Sequence, residues 1–239
     1  MLPMFDFSVN NQAILSKHII GDEKIPLLII DNFANSVTDL VEFAGDGSSF
    51  QADEKNFYPG KRKLMPSEYG EQVCRQYLPL FHSFFDCPQT SAAKTVLSAL
   101  ALADTPVKQL RPMQMLPHID TPQSNQFAVV HYLCNQDHGG TSFYRHKETG
   151  YQTITQDRLY HYAQQVKKEA IANQIHKAPR YMSGSDKLFE QLYSVEARMN
   201  RAIIYPSNLL HSGNVNAALG LSSLPKKGRL TIGSFILLE

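Results

Sequence analysis

Four residues in the second half of the chain have the types and the order that metal chemistry requires. His118 and Asp120 are separated by one residue, and His211 and Arg229 follow. Two histidines and one carboxylate on one face of a metal suit non-haem Fe(II), because they leave open positions for oxygen chemistry. On a strand, a His-x-Asp pair would point both side chains the same way, since side chains alternate with period two. We therefore predict that His118 and Asp120 lie on a strand and form part of an iron site.

The segments around these residues have the patterns of β structure. Residues 127–133 form a strong strand pattern, and a Gly-Gly turn follows at 139–140. Residues 201–206 form a second strand that leads towards His211, and residues 229–235 predict a terminal strand. Arg229 and Thr231 are two residues apart on this terminal strand, so their side chains share one face.

This order resembles the Fe(II)/2-oxoglutarate-dependent dioxygenase superfamily, and within it the prolyl-hydroxylase-like branch. The resemblance covers roughly residues 112–144 and 200–238, and the strand and helix that start near residue 27 look like the entry of that branch. A Tyr-Pro-Gly-Lys-Arg run at 58–62 and the closing Gly-Arg-Leu-Thr resemble an uncharacterised bacterial subgroup.

The resemblance implies a fold and a set of site residues. The fold would be mainly β with flanking helices, a double-stranded β-helix of the jelly-roll, cupin-like type. His118, Asp120 and His211 would be the Fe(II) ligands and the catalytic centre. The side chains that would hold the cosubstrate 2-oxoglutarate are Arg229, Thr231 and Tyr132. The interval from His211 to Arg229 is 229 − 211 = 18 positions, longer than is usual in the family, so residues 214–227 must loop out.

Several neighbouring polar residues are weaker candidates. His131 should face away from the site, because it alternates with Tyr132 along one strand. Gln114 should share the face of His118. Arg62 and Arg111 either bind an acidic substrate or are plain surface charges. Tyr205 and Asn200 are weaker still.

The chain length and the element pattern predict a single domain over residues 1–239. A helix should begin after Ser36 with Asp39 completing a capping box, and a second helix over residues 67–85 should break near Pro79. Residues 145–199 read as a helical insert, with one helix in its first half and another over 189–197. This insert is either a lid over the site or a buttress for the barrel.

The composition limits the remaining classes. A hydrophobic fraction of 43%, a charged fraction of 19% and a net charge of +1 are typical of a globular protein and give no reason to expect nucleic-acid or membrane partners. The three scattered cysteines favour reduced thiols, and we expect a cytoplasmic protein without a targeting segment.

The resemblance thus implies an oxygenase that uses molecular oxygen to hydroxylate a small molecule or a peptide side chain. The alternatives are a cupin-like metal-dependent hydrolase or isomerase, and a non-catalytic jelly-roll binding module. The substrate and the oligomeric state cannot be read from the sequence.

Overall fold

A computed structural model describes residues 5–47, 49–52, 57–219 and 221–239, and these residues form eleven β-strands and three α-helices. The helices are α1 (Val37–Ala44), α2 (Ser67–Ser83) and α3 (Gln156–Ala172). The strands are β1 (Ile14–Ile20), β2 (Ile25–Asp31), β3 (Gln51–Ala52), β4 (Gly60–Leu64), β5 (Ala93–Ala103), β6 (Gln126–Tyr132), β7 (Thr141–His146), β8 (Phe189–Val195), β9 (Arg201–Pro206), β10 (His211–Gly213) and β11 (Arg229–Leu238).

The strands form two antiparallel sheets. The major sheet has eight strands in the order β1-β2-β9-β6-β11-β5-β4-β3, and the minor sheet has three strands in the order β10-β7-β8. Phe143 and Val195 of the minor sheet share one buried cluster with Leu27, Ile203 and Tyr205 of the major sheet, so the two sheets pack face to face. The prediction of a mainly β, jelly-roll-like fold with flanking helices is confirmed at this level.

The major sheet is buried on both faces. The face that meets the minor sheet is hereafter the concave face, and the opposite one is the convex face. Leu28, Ile204 and Leu100 lie on the convex face and pack against residues of α1 and α2. Strand β2 therefore reads as an uninterrupted apolar run rather than an alternating one. Helices α1 and α2 therefore cover the convex face of the major sheet, and the candidate site lies on its other side.

Helix α1 begins where the sequence predicted, with one difference at its cap. The Ser36 hydroxyl accepts a hydrogen bond from the Asp39 amide at 3.4 Å, and the helix ends at Gly45. The reciprocal half of the predicted capping box is wrong, because the Asp39 carboxylate accepts from the amide of Asp6 at 2.9 Å. Asp39 thus ties the N-terminal segment to the helix instead of closing the box.

Helix α2 continues through Pro79, so the predicted break there is wrong. Proline removes one backbone hydrogen bond inside a helix at a cost of ~3 kcal/mol. The buried face of the helix nevertheless runs past this position, with Val73, Tyr77 and Phe81 packed on the convex face of the sheet. This tertiary packing holds the helix together where the local preference would end it.

The segment 145–199 is only partly helical. Helix α3 lies in its first half, as predicted, but the second predicted helix over residues 189–197 is wrong. Residues Phe189–Val195 form β8, which pairs with β7 along the minor sheet. The insert therefore supplies one strand of the sheet that carries part of the candidate site. Among the described residues, no helix is long and apolar enough to cross a membrane.

Candidate metal centre

A single antiparallel bridge brings His118 to His211. The amide of each histidine donates to the carbonyl of the other, both at 2.9 Å, and His211 begins β10. In such a hydrogen-bonded pair the two Cα atoms lie ~5.5 Å apart, with both side chains on one side. The predicted strand at residues 118–120 is wrong beyond this bridge. Instead, the Asp120 amide donates to the carbonyl of Ser207 at 2.9 Å, which holds Asp120 beside the pair.

The structure brings the three candidate ligands together. One potential ligand atom from each of His118, Asp120 and His211 lies within 4.8 Å of the others. The two imidazole rings are 4.4 Å apart between centroids, and His211 Nε2 is 3.8 Å from Asp120 Oδ2. This spacing suits one metal ion held between the three side chains.

The donor atoms of this cluster fit a metal. His211 Nδ1 donates to the carbonyl of Leu209 at 2.9 Å, so Nε2 keeps its lone pair. The ring of His118 is similarly hydrogen-bonded to the backbone of Leu116. Asp120 Oδ2 is buried and has no hydrogen-bond partner among the described residues. A buried carboxylate oxygen without a partner is costly, and a metal ion would satisfy it.

The protonation states also suit ligation at neutral pH. Burial lowers the pKa of His211 to about 4. The protein packed around His118 lowers its pKa to about 4 as well, with the neighbouring His211 adding to the effect, although part of His118 is open to solvent. Burial raises the pKa of Asp120 to about 6. Above that pH the imidazoles are neutral and the carboxylate is ionised, which are the forms that bind a metal.

Arg229 is a buried cation on the face of the major sheet that meets the minor sheet. Its Nη2 donates to the carbonyl of Gly140 at 2.8 Å, and its Nε donates to the carbonyl of Gly139 at 3.2 Å. A β-carbon on Gly213, at the end of the strand that begins with His211, would lie 3.4 Å from Nη2. Arg229 has no ion-pair partner in the part of the chain that the structure describes. Three of its five N–H groups therefore remain for a ligand.

Tyr132 and Thr231 lie next to Arg229. Thr231 is directly opposite Tyr132 in the β11–β6 pairing, so both side chains share the face of Arg229. The guanidinium carbon of Arg229 is 5.9 Å from the centre of the Tyr132 ring. The Tyr132 hydroxyl donates to Thr141 Oγ1 at 2.7 Å, and burial raises its pKa to about 12. It therefore stays protonated and can still accept a hydrogen bond.

The long interval between His211 and Arg229 forms a packed loop. Three of its apolar side chains join a cluster with one residue of the insert and three of the segment before His118; the members are Val215, Ala217, Leu221, Tyr181, Val107, Leu110 and Met115. The Tyr181 hydroxyl donates to the carbonyl of Thr105 at 2.7 Å. The extra residues thus connect three loops and return the chain to the start of β11.

The helical part of the insert packs behind the candidate ligands. Leu116 lies close to His118, and Leu210 immediately precedes His211. Both belong to a buried cluster with side chains of α3, β8 and the segment that connects them: Tyr162, Val166, Phe189 and Met182. This position agrees with the buttress alternative for α3 and β8. Tyr181, in the connecting loop, is the part of the insert that reaches the loop cluster beside Leu110.

The other polar candidates have different environments. His131 faces away, as predicted: its Nε2 donates to Asn200 Oδ1 and its Nδ1 accepts from the Tyr69 hydroxyl, both at 3.0 Å. Asn200 therefore has a structural role. The prediction for Gln114 is wrong, because it lies in a short 3-10 helix and its side chain accepts from the Arg111 amide at 2.7 Å.

Tyr205 is closer to the centre than its weak sequence signal indicated. Its ring is 4.9 Å from that of His211, in an edge-on arrangement. It lies on β9, opposite Ala128, where alternation alone could not tell which face meets the minor sheet. A surface groove of about 740 Å³ lies between α2 and β5, away from these residues.

Two facing antiparallel sheets and a His-Asp-His cluster with one buried, unpartnered carboxylate oxygen define a jelly-roll-like protein with a candidate metal centre. Residues 11–236 match a family of unknown function, DUF6445, and the chain belongs to that family. A comparison with curated proteins gives no match.

Solved structures of similar shape are distant in sequence. HygX from Streptomyces hygroscopicus, with nickel and 2-oxoglutarate bound, is 11% identical with a TM-score of 0.49, over 90% of this chain and 84% of that one. SnoN, a non-haem alpha-ketoglutarate-dependent epimerase from nogalamycin biosynthesis, is 8% identical with a TM-score of 0.49, over 88% of this chain and 77% of that one. Similarity at this level does not assign an activity, so the function must come from the site itself.

Proposed function

We propose that this protein is a non-haem Fe(II)- and 2-oxoglutarate-dependent oxygenase with a double-stranded β-helix fold, related to the prolyl-hydroxylase-like branch. The observation that carries the proposal is a pair of features where the two sheets face each other. A His-Asp-His cluster has an unpartnered buried carboxylate oxygen, and a buried arginine has no ion-pair partner in the described chain. The first feature calls for a cation and the second for an anion.

The donor set favours iron over the harder divalent ions. His118, Asp120 and His211 would hold the metal through two neutral imidazoles and one carboxylate, a set that leaves coordination positions open. Bound iron and 2-oxoglutarate would activate molecular oxygen, the oxidant: one oxygen atom would enter the substrate as a hydroxyl group, and the other would enter the succinate that forms from 2-oxoglutarate as carbon dioxide leaves. The chain holds the ligand atoms in place through the backbone hydrogen bonds of both histidines.

Arg229 is suited to the distal carboxylate of 2-oxoglutarate. Two of its N–H groups are fixed by the carbonyls of Gly139 and Gly140, which orients the guanidinium and leaves the remaining donors for the carboxylate. Thr231 and Tyr132 add hydroxyl groups on the same face. A guanidinium that is already fixed loses little conformational freedom when the ligand binds.

The proposal is tested by anaerobic titration with Fe(II) and then with 2-oxoglutarate, following the visible metal-to-ligand charge-transfer band. We expect a band in wild type and in His176→Ala, a control that removes an exposed histidine far from the cluster in sequence. The band should be lost in His118→Ala. A metal-loaded wild-type protein without a band would overturn the oxygenase proposal and favour the hydrolase or non-catalytic alternatives.

A further inference from the structure

Arg62 lies in the same row of the concave face as two of the proposed cosubstrate residues, Thr231 and Tyr132. It is opposite Ala101 on β5, Ala101 is opposite Thr231 on β11, and Thr231 is opposite Tyr132 on β6. Neighbouring strands are ~4.8 Å apart, so the backbone of Arg62 is ~10 Å from that of Thr231. Only an alanine separates them in this row, and no bulky side chain stands between.

The guanidinium of Arg62 is oriented but not neutralised. It stacks on the ring of Tyr58, with 4.8 Å from its central carbon to the ring centre. Stacking on an aromatic face fixes the guanidinium plane and leaves its N–H groups free at the edge. Among the described residues, Arg62 has no hydrogen-bond or ion-pair partner. It is also only half-buried, so a ligand from solvent can reach it.

The two lysines beside Arg62 on β4 provide a contrast. Lys61 pairs with Asp104 at 3.1 Å and Lys63 pairs with Asp46 at 2.7 Å. Both lysines alternate onto the convex face, away from the metal centre. Both lysines that face away from the centre are therefore neutralised, whereas Arg62, which faces it, has no ion-pair partner within residues 5–47, 49–52, 57–219 and 221–239.

The positive charge of Arg62 influences the pKa of His118 and that of Asp120. It adds to the burial that lowers the pKa of His118, and it opposes the burial that raises the pKa of Asp120. Burial raises the pKa of the Tyr58 hydroxyl, and Arg229 and Arg62 both act to lower it, so the two guanidinium groups lie near the same ring.

In the proposed complex, the charges of the other groups cancel without Arg62. A divalent metal, the Asp120 carboxylate, the Arg229 guanidinium and the doubly charged 2-oxoglutarate add to zero. None of these four groups neutralises Arg62. An uncompensated charge beside a partly dry site is costly unless a ligand completes it.

We infer that Arg62 binds an anionic oxygen group of the substrate, a carboxylate, sulfate or phosphate, on the face of the major sheet that carries Thr231 and Tyr132. The inference rests on the proposed function and narrows its substrate class to anionic molecules. Arg62 is a specificity-determining residue in this assignment, distinct from the cosubstrate residue Arg229. The planar donor fork of arginine matches these oxygen groups better than it matches a neutral amide.

The test uses the full chain loaded with Mn(II) in place of Fe(II) and saturated with 2-oxoglutarate. Acetate, sulfate, inorganic phosphate and the neutral control acetamide are titrated. Their binding is followed by the nuclear relaxation that the nearby paramagnetic ion induces in acetate, phosphate and acetamide, and by competition for sulfate. The variants are Arg62→Gln and Arg62→Lys, with Lys94→Gln as a control that removes an exposed cation from β5.

We expect at least one anion to bind wild type and Lys94→Gln, and acetamide not to bind. Arg62→Gln should weaken anion binding at least ten-fold and Arg62→Lys by less, with the affinity for 2-oxoglutarate unchanged in both. The anion that binds most tightly identifies the oxygen group. Equal anion binding by Arg62→Gln, or a loss of 2-oxoglutarate binding in that variant, would overturn the inference alone. Failure of wild type to bind 2-oxoglutarate would overturn the proposed function as well.

Discussion

Replacing Asp120 with asparagine should stabilise the metal-free protein and abolish its response to metal. Burial raises the pKa of Asp120 from 3.8 to about 6, so the folded protein resists ionising this carboxyl. Each unit of pKa difference is worth ~1.4 kcal/mol, so the ionised carboxylate costs the folded state on the order of 3 kcal/mol. Asparagine has nearly the same shape, carries no charge, and can direct its amide towards His211 Nε2, which is 3.8 Å from Asp120 Oδ2.

The effect depends on pH in a defined direction. The folded pKa of Asp120 is above its unfolded value, so wild type loses stability as pH rises from about 4 to about 6. The variant lacks this group and keeps its stability. The difference between the two proteins should therefore be near zero at pH 4 and reach its full size above pH 6. The two histidines of the cluster are present in both proteins, so their own titration largely cancels.

Urea unfolding of chelator-treated protein between pH 4 and 8 measures this difference. Circular dichroism is the suitable probe, because the chain has no tryptophan. At pH 7 we expect the variant to gain ~3 kcal/mol, or roughly 6–12 °C in melting temperature for a chain of this length. Divalent metal at 100 times its dissociation constant should add ~2.7 kcal/mol to wild type and almost nothing to the variant.

Asp137→Asn is the matched control, because Asp137 is exposed and its carboxylate lies outside the cluster. It should change neither stability nor metal response. A variant at Asp120 that is less stable than wild type at pH 7 without metal would refute the reasoning. So would a stability gain of the same size at pH 4 and pH 7.

Three further predictions follow from the same geometry. Arg229→Lys keeps the positive charge but removes the planar guanidinium that can bind a carboxylate at two points. The dissociation constant for 2-oxoglutarate should therefore rise ~10- to 100-fold with metal affinity unchanged, and weaker metal binding would contradict this. Gly139→Ala should cost more than ~3 kcal/mol in urea unfolding, because its β-carbon would lie 1.5 Å from the Asn214 carbonyl oxygen at a φ of +87°. Gly47→Ala, at a φ of +89° with nothing within 4 Å, should cost only ~1 kcal/mol, and equal losses would refute the steric argument. His131→Leu removes both hydrogen bonds of a buried imidazole and should lower stability by ~2–4 kcal/mol without changing metal affinity, as calorimetric titration would show.

Local patterns were sufficient for much of the fold. The alternating and apolar runs at β2, β6, β9 and β11 were predicted as strands, since strand periodicity is a property of neighbouring residues. The errors occurred where packing outweighs local preference. Helix α2 survives Pro79 because its buried face continues, and Phe189–Val195 pairs with β7 although its apolar spacing also fits a helix.

The sequence by itself determined which residues have metal chemistry available to them: His118, Asp120 and His211 as donors, with Arg229 as the nearby cation. Residue type and order are local information, and a resemblance can be read from them. Only the tertiary structure decided how these residues meet. The bridge between His118 and His211, the unpartnered oxygen of Asp120, and the unpaired state of Arg62 depend on which strands pair and in which register. Those pairings join residues far apart in the chain, and their energies come from burial and hydrogen bonding that no local pattern contains.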